Sequence, residues 1–302
     1  MPKKKEIKQL KQEISVSMIV KNEEVMLLDC LKSIKDAEEI VIVDTGSEDN
    51  TIKIIKEFKK TFKGDLILKH FKWIDDFSAA RNESLKYCTK DWILIIDADE
   101  TMEKGGVLMA KRRLKHYDDL TLKIKVQTDA ELLWSPRIFQ NNKGIHWKDA
   151  IHNQLSTNEG GQLSIQIRSK TSPAHDKDPE RTIRILRKEL AKNPNNKRYQ
   201  YYMAREMLRF DDNVSAAYWF EQRLKDYVFG PEDADSFFLL GVCYSKLGRK
   251  KEAVESWVKT IMINVEFKAA YVELSKMYQA EHGKKWAELA KLAKNTNLLF
   301  ER

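Results

Sequence analysis

The chain has few of the residues that mark disulfide-built, fibrous or membrane-spanning proteins. Its 302 residues include three cysteines (Cys30, Cys88 and Cys243), which are too few and too scattered for a disulfide framework or a zinc site. Only 11 glycines and 6 prolines, beside 42% hydrophobic residues, indicate an ordered globular protein. No apolar run approaches the length that crosses a bilayer. We therefore expect a reduced, cytoplasmic protein with no transmembrane segment.

The formal net charge of +8 raises the question of a nucleic-acid partner. Five lysines lie within the first eleven residues, and the remaining basic residues are spread through predicted helices beside glutamates. No arginine-rich stripe with interleaved aromatic residues is present. We expect solvated faces, a basic tail over residues 1–13 and no nucleic-acid partner. A phosphate-rich small substrate or an anionic surface is the alternative explanation of the charge.

Short apolar runs alternate with amphipathic segments in the first third of the chain. Helices of this length between strands imply crossover connections and therefore a parallel sheet. The predicted strands are 14–20, 39–44, 66–68 and 92–96, and predicted helical segments include 27–34, 51–62 and 78–87. This part is predicted to be a Rossmann-like α/β layer.

A β-rich segment follows residue 118. The predicted strands are 121–127, 132–140, 144–154 and 163–168, with a hairpin turn at 141–144. We expect these strands to form a subdomain that closes over the edge of the sheet.

The C-terminal part of the sequence carries only helical patterns, beginning at Asp178-Pro179-Glu180, where the aspartate would cap the helix. An internal repeat of 34 residues, the tetratricopeptide period, pairs Phe237, Leu240, Gly241, Tyr244 and Ala253 with Tyr271, Leu274, Ser275, Tyr278 and Ala287. Gly248 lies where the turn between paired helices belongs. We expect a domain over residues 14–175 and a helical repeat domain over 176–302.

Two aspartates follow the most apolar run of the chain. Residues 92–96 predict a strand buried on both faces, and Asp97 and Asp99 come directly after it. In an extended chain residues i and i+2 point the same way, so both carboxylates would project from the carboxyl end of the strand. Ligands bind at that edge of α/β sheets. Paired carboxylates there suit a divalent cation that also holds phosphates.

Other polar residues have two interpretations each. Asp44 ends the second predicted strand and would either accept hydrogen bonds from a base or ribose, or cap the next helix. Arg81 would bind a diphosphate or lie at the surface. His146 and His152 would share one face of an extended segment, as metal ligands or as structural residues.

Together these features resemble family 2 glycosyltransferases of the GT-A fold, over residues 14–175. The motifs that carry the resemblance are residues 18–24 (MIVKNEE), 42–47 (IVDTGS), 73–82 (WIDDFSAARN) and 97–100 (DADE). Residues 136–139 (PRIF) and 151–153 (IHN) are similar to later motifs of the branch that joins this domain to tetratricopeptide repeats. That branch includes enzymes that decorate bacteriocin peptides and other proteins, and relatives that act on lipopolysaccharide cores. Asn153 stands where the branch usually has Glu.

The resemblance implies a site for the nucleotide-sugar donor. Val20, Asn22 and Glu23 would line the nucleotide pocket, and Asp44 would bind a uracil-type base. The same motifs add Ser47, Asp76 and Ala98 to the predicted donor-binding residues.

The resemblance also implies how the diphosphate is held. Arg81 would lie beside the diphosphate and Asp97 beside the ribose. Asp99 would ligate Mn²⁺ or Mg²⁺, with His152 as a second protein ligand.

An inverting transfer needs a base that takes the proton of the acceptor nucleophile. Asp129, Glu131 and Asp149 all fall in the β-rich segment expected to face the acceptor. The sequence leaves the three open, with a slight preference for Glu131.

We therefore expect a GT-A, Rossmann-like, mostly parallel sheet with a β-rich acceptor-side subdomain, followed by an all-α tetratricopeptide-like domain. The expected function is metal-dependent, inverting transfer of a sugar, UDP-linked in our interpretation, to a peptide, protein or glycan acceptor held partly by the repeats. The alternatives are a sugar nucleotidyltransferase and a repeat scaffold with an inactive transferase domain. A homodimer, supported by exposed Trp257 or Trp286, is a further alternative for the role of the repeats.

Overall fold

The computed structural model of the chain describes residues 12–157, 159–174, 178–228, 230–278 and 280–293. The chain forms two compact units that divide between Pro179 and Glu180. The predicted boundary between residues 175 and 176, and the first eleven residues of the predicted tail, lie outside the described residues.

The first unit contains the strands. They are β1 Ile14–Val20, β2 Glu39–Asp44, β3 Asp65–His70, β4 Trp92–Ile95, β5 Glu100–Met102, β6 Thr121–Gln127, β7 Leu132–Gln140, β8 Trp147–Lys148, β9 Gln154–Leu155 and β10 Gly160–Ser169. The helices of this unit are α1 Leu27–Ser33, α2 Thr51–Lys59, α3 Phe77–Leu85 and α4 Gly106–Leu114.

Within the described residues, one mixed sheet has eight strands in the order β3-β2-β1-β4-β7-β6-β10-β5, and β8 and β9 form a separate pair. Strands β3, β2, β1 and β4 are parallel to one another. β7 is antiparallel to β4 and to β6, while β10 is parallel to β6. The predicted fold class is confirmed, with one difference: the β-rich strands extend the same sheet instead of closing over its edge.

The buried apolar side chains explain why the parallel strands carry unbroken hydrophobic runs. On one face, alternate residues such as Ile40, Ile42 and Leu94 belong to a large core. On the opposite face, the intervening residues Val41 and Ile93 pack in a second cluster with Leu155 of β9 and Phe139 of β7. Since both faces of the central strands are covered, no polar alternation is needed there.

The predicted strand over 144–154 and the predicted hairpin at 141–144 are both wrong. β7 does not pair with β8, and the loop between β8 and β9 contains Asp149 (φ 69°) and His152 (φ 50°). Left-handed backbone ends an extended strand, so His146 and His152 do not share one face of it. β5 and α4 are additional elements that the apolar pattern did not predict.

The second unit is helical. Its helices are α5 Arg181–Lys192, α6 Lys197–Arg209, α7 Asn213–Arg223, α8 Pro231–Lys246, α9 Lys250–Ile263, α10 Lys268–Met277 and α11 Ala280–Leu292. α5 begins later than predicted, with Glu180 rather than Asp178 at its N-cap. The α8–α9 pair shows the expected repeat geometry: Gly248 adopts φ 75° in the turn, and a Cβ on Gly241 would lie 2.4 Å from the Trp257 indole.

Two further observations concern exposed surface. The Trp257 side chain is 1% exposed, so the prediction of an exposed aromatic residue there is wrong.

Among the helices in the described ranges, none combines the length and the apolar character that a membrane span requires.

Candidate active site at the carboxyl edge of the sheet

The carboxyl ends of β2, β1 and β4 meet at one edge of the sheet because these neighbouring strands are parallel. Val20 ends β1 beside Asp44, with which it is in register. The segment from Asp97 to Glu100 follows β4 at the same edge. The strand order therefore brings three of the predicted donor-site motifs together, at the edge where α/β sheets bind ligands.

The loops after β1 and β2 are joined by hydrogen bonds. Thr45 N donates to Val20 O at 2.9 Å, and Asn22 N donates to Ser47 Oγ at 3.0 Å. Asn22 Oδ1 in turn accepts from Glu48 N at 2.8 Å. Asn22 holds a left-handed conformation (φ 57°), which asparagine tolerates better than most residues. These contacts hold the loop after β1 against the loop after β2.

Asp44 is 3% exposed and has its carboxylate fixed by the turn that follows β2. Oδ2 accepts from Gly46 N and Oδ1 from Ser47 N, both at 3.1 Å, and His70 Nδ1 lies 3.3 Å from Oδ2. The alternative in which Asp44 caps the next helix is wrong, because Asn50 is the N-cap of α2. Asp44 instead caps its own turn.

Asp97 lies between two guanidinium groups. Arg81 Nη2 donates to its Oδ1 at 2.8 Å, and Arg137 Nη1 lies 3.6 Å from its Oδ2. Arg137 also donates to Glu100 Oε1 at 2.6 Å, while Asp97 N donates to Glu100 Oε2 at 2.9 Å. Burial by itself would raise the pKa of Asp97, but the charges of Arg81 and Arg137 outweigh it and hold this pKa below its ordinary value.

Arg137 reaches this cluster from a β-bulge. The β6–β7 register passes from Leu122–Ile138 to Lys123–Pro136, so Arg137 is the extra residue on β7. Pro136 has no N–H to give to the ladder, and proline within sheets is found at such irregularities. Bulges re-aim a side chain, and this one directs Arg137 towards the carboxylates after β4.

The Asp97–Glu100 segment is a turn, closed by a hydrogen bond from Glu100 N to Asp97 O at 3.0 Å. The extended geometry that we expected for Asp97 and Asp99 is therefore wrong, although their charges do interact. Ala98, between them, is 4% exposed and packs in the main core, so its side chain is not available to a ligand.

Asp99 lies within the electrostatic influence of three other carboxylates. Burial raises its pKa to about 7, with further contributions from the neighbouring carboxylates of Asp97, Glu100 and Glu23. Glu23 is itself held in place, since its Oε2 accepts from Ser172 Oγ at 2.7 Å. A carboxyl whose charged form is this costly favours a bound cation or a proton.

The chemistry of these donors fits Mn²⁺ or Mg²⁺ held in part by a substrate. In the described part of the chain, no three His, Cys, Asp or Glu side chains converge as a self-sufficient metal site. Mg²⁺ is commonly held by one or two carboxylates plus phosphate oxygens, which is the ligand set that Asp99 and a diphosphate would supply. His152 lies in the loop between β8 and β9, which contacts the start of α3 through a 2.8 Å hydrogen bond from Phe77 N to Ala150 O.

Asp76 has a structural role in positioning Arg81. Its Oδ1 accepts from Ala79 N at 2.9 Å, which caps α3. Arg81 follows on the next turn of that helix and points to Asp97. Asp76 thus sets the start of the helix that presents the guanidinium.

The three candidate bases occupy two loops. Asp129 and Glu131 lie in the β6–β7 turn, which projects from the same edge as the end of β4, since β6 and β4 are both antiparallel to β7. Asp149 lies in the loop between β8 and β9, where its Oδ2 accepts from Gln154 Nε2 at 3.2 Å. The geometry leaves all three as candidates.

Arg137 and Glu100 are site residues that the residue-by-residue prediction left out. A signal for each was present in the sequence. Glu100 adjoins the aspartate pair, and Arg137 lies in the later motif at 136–139. What the sequence did not reveal was the bulge that joins them.

Comparison with known proteins agrees with this architecture. The profile of Glycosyl transferase family 2 matches residues 15–193, more than half of the chain. The SPbeta prophage-derived glycosyltransferase SunS of Bacillus subtilis is 27% identical over 231 residues, 71% of this chain and 54% of that protein. A TPR repeat-containing protein of Synechococcus elongatus is 34% identical over 145 residues, 46% of this chain and 34% of that protein. The chain thus spans about half or less of the length of these relatives.

Among solved structures, S. aureus TarS 1–349 in complex with UDP-GlcNAc is similar over 88% of this chain and 85% of that chain. The sequence identity is 15% and the TM-score is 0.48. At that score the likeness identifies neither a donor nor an acceptor for this chain.

Proposed function

Because this chain belongs to glycosyl transferase family 2, we propose that it is a metal-dependent, inverting glycosyltransferase that uses a nucleotide sugar, UDP-linked, as its donor. The acceptor is a peptide, protein or glycan, held partly by the helical repeats. The observation that carries the proposal is the carboxyl edge of the sheet, where Arg81 donates to Asp97 and burial with neighbouring carboxylates raises the pKa of Asp99 to about 7.

The donor site follows from the loops after β1, β2 and β4. Val20, Asn22, Glu23 and Ser47 line the nucleotide pocket in this proposal. Asp44 accepts from the base, which its fixed carboxylate suits because little ordering is lost on binding. Asp97 contacts the ribose.

Asp99 would hold Mn²⁺ or Mg²⁺, with His152 as a second ligand, and the ion would offset the negative charge that develops on the departing nucleoside diphosphate. Arg81 contributes a guanidinium to the same diphosphate. We expect His152→Ala to raise the MnCl₂ concentration needed for half-maximal activity, and an unchanged metal dependence would remove His152 from the ligand set.

Inversion requires that the acceptor's nucleophile attack from the side opposite the leaving group while a base removes its proton. Glu131 is our first choice of base, and Asp129 and Asp149 are the alternatives. Asn substitutions at the two aspartates and Gln at Glu131, each assayed with acceptor, separate the three, since only loss of the true base abolishes transfer while leaving UDP binding intact.

A thermal-shift screen of nucleotide sugars, with and without MnCl₂, tests the donor and the metal together. We expect a UDP-sugar to raise Tm only when Mn²⁺ is present, because the ion and Asp99 share the diphosphate. A nucleoside triphosphate that stabilises the protein better than any nucleotide sugar would instead favour a nucleotidyltransferase. Stabilisation by none of these ligands would favour the inactive scaffold.

A further inference from the structure

One aromatic side chain beside the site has no role in the donor assignment. The Arg81 guanidinium carbon lies 4.9 Å from the centre of the Trp147 indole ring, within the range of a cation–π interaction. Asp97 Oδ1 accepts from the same guanidinium at 2.8 Å. Arg81 is thus held by a ring face and by a carboxylate.

Trp147 is itself fixed by the residue that follows Arg81. Asn82 Nδ2 donates to Trp147 O at 2.9 Å, and Trp147 N donates to Asn82 Oδ1 at 2.8 Å. The amide of Asn82 therefore pairs with the Trp147 backbone as a neighbouring strand would. Two consecutive residues of α3 contact one tryptophan, one through its backbone and the other through its ring.

Burial makes the ring more important to Arg81 than it would be at the surface. The Arg81 side chain is 14% exposed, and within the described residues its Nε is buried and makes no hydrogen bond. Cation–π attraction strengthens when the cation is desolvated. A side chain with many rotamers and few fixed partners depends on such a contact for its orientation.

We propose that Trp147 is a positioning residue for Arg81: its indole face, anchored by Asn82, keeps the guanidinium oriented towards Asp97 and the donor diphosphate. This inference rests on the proposed function for the identity of the ligand. Trp147 also packs against the cluster that contains Ile93 and Phe139, so its role in packing must be separated from its role in orienting Arg81.

Calorimetric titration of the full chain with UDP in MnCl₂ separates the two roles. We expect Trp147→Leu, which keeps apolar bulk but removes the ring, to weaken UDP binding about tenfold. Trp147→Phe keeps an aromatic face and should lose less than about threefold. In an Arg81→Met background Trp147→Leu should weaken UDP binding no further, because the residue on which it acts is absent.

Trp134→Leu is the matched control, since Lys125 Nζ lies 5.5 Å from that ring in a pair on the strands β6 and β7. It should leave UDP affinity unchanged within about twofold. The inference would be overturned if Trp147→Leu weakened UDP binding equally in the Arg81→Met and wild-type backgrounds. It would also be overturned if Trp147→Phe weakened UDP binding as much as Trp147→Leu, or if the Trp134→Leu control did so.

Wild-type protein that binds no UDP would refute the proposed donor, which is a different failure. The contact between Arg81 and Trp147 is then tested by urea denaturation of the wild type, Arg81→Met, Trp147→Leu and the double variant. A coupling between Arg81 and Trp147 in the free energy of unfolding supports the contact, and additive losses overturn it.

Discussion

β2 ends in Asp44, and β4, on the other side of β1, is followed by Asp97, yet these two carboxylates are stabilised differently. At β2, Asp44 is stabilised locally by backbone N–H groups two and three residues ahead. At β4, Asp97 depends on Arg81 and Arg137, from a distant helix and a distant strand. The first arrangement lies mostly within one turn, with the His70 imidazole of β3 as a distant neighbour, and the second couples three elements.

The difference in charge follows from this difference in partners. The carboxylates of Asp97 and Glu100, which follow β4, and of Glu23, which follows β1, all raise the pKa of Asp99. Burial, with the charges of these neighbouring carboxylates added to it, raises the pKa of Asp99 to about 7. In our proposal the turn after β2 recognises a neutral base, and the acidic segment after β4 binds a cation. The predictions below test this contrast in order of expected effect.

Removal of Arg137, the partner that β7 supplies, should have the largest effect on stability. Arg137→Met leaves Glu100, whose side chain is 3% exposed, without its guanidinium. We expect the free energy of unfolding to fall by about 3 kcal/mol or more, because an uncompensated buried charge remains. Urea denaturation without metal measures this. Arg112→Met, at an exposed position of α4, is the control, and a loss of less than about 1 kcal/mol at Arg137 would show that water replaces the ion pair.

Removal of the Asp99 charge should affect UDP binding and the stability of the metal-free protein differently. Asp99→Asn should weaken UDP binding in MnCl₂ about a hundredfold while leaving metal-free protein at least as stable as the wild type, since a repelled charge is lost. Calorimetry and thermal unfolding measure the two effects. Asp118→Asn, at an exposed loop position, should change neither. Retention of Mn²⁺-stimulated UDP binding in Asp99→Asn would remove Asp99 from the metal site.

Asp44→Ala tests the other strand end. We expect UDP affinity to fall about tenfold both with and without Mn²⁺, because this carboxylate is proposed to contact the base. Titrations at two MnCl₂ concentrations make the comparison with Asp99→Asn direct. A loss that disappears in excess Mn²⁺ would place Asp44 in the metal site.

The smallest effect is a pH dependence of stability. The pKa of Asp99 is about 7 in the folded protein against an ordinary 3.8, so the folded state binds the proton more tightly than the unfolded state. The contribution of Asp99 to stability is therefore greatest below its unfolded pKa and is lost as pH rises through 7. Between pH 6 and pH 8 we expect a decrease of about 1 kcal/mol in EDTA. If the free energy of unfolding of Asp99→Asn fell equally between pH 6 and pH 8, the effect would belong to another group.

Local pattern predicted the elements that organise the edge. The bounds of β1, β2, β6 and β7 agree with the predicted strands, since each combines an apolar run or alternation with turn residues at its ends. The 34-residue spacing indicated the helix pairs because it too is a periodic pattern of apolar residues. The predictions failed where a short segment carries no periodic signal, as in β5, or where a left-handed residue interrupts a run, as at Asp149.

The sequence by itself determined which residues end the strands and which strands carry acids, because both follow from contacts within a few residues. It could not determine how each acid is neutralised. Arg137 meets Asp97 only because a bulge in β7 adds one residue beside Pro136, and Trp147 meets Arg81 only because β8 is hydrogen-bonded to Asn82 of α3. Such partners are distant in the chain, so only the tertiary structure decided how Asp97 is neutralised, whereas the turn after β2 supplies backbone partners of Asp44 from neighbouring residues.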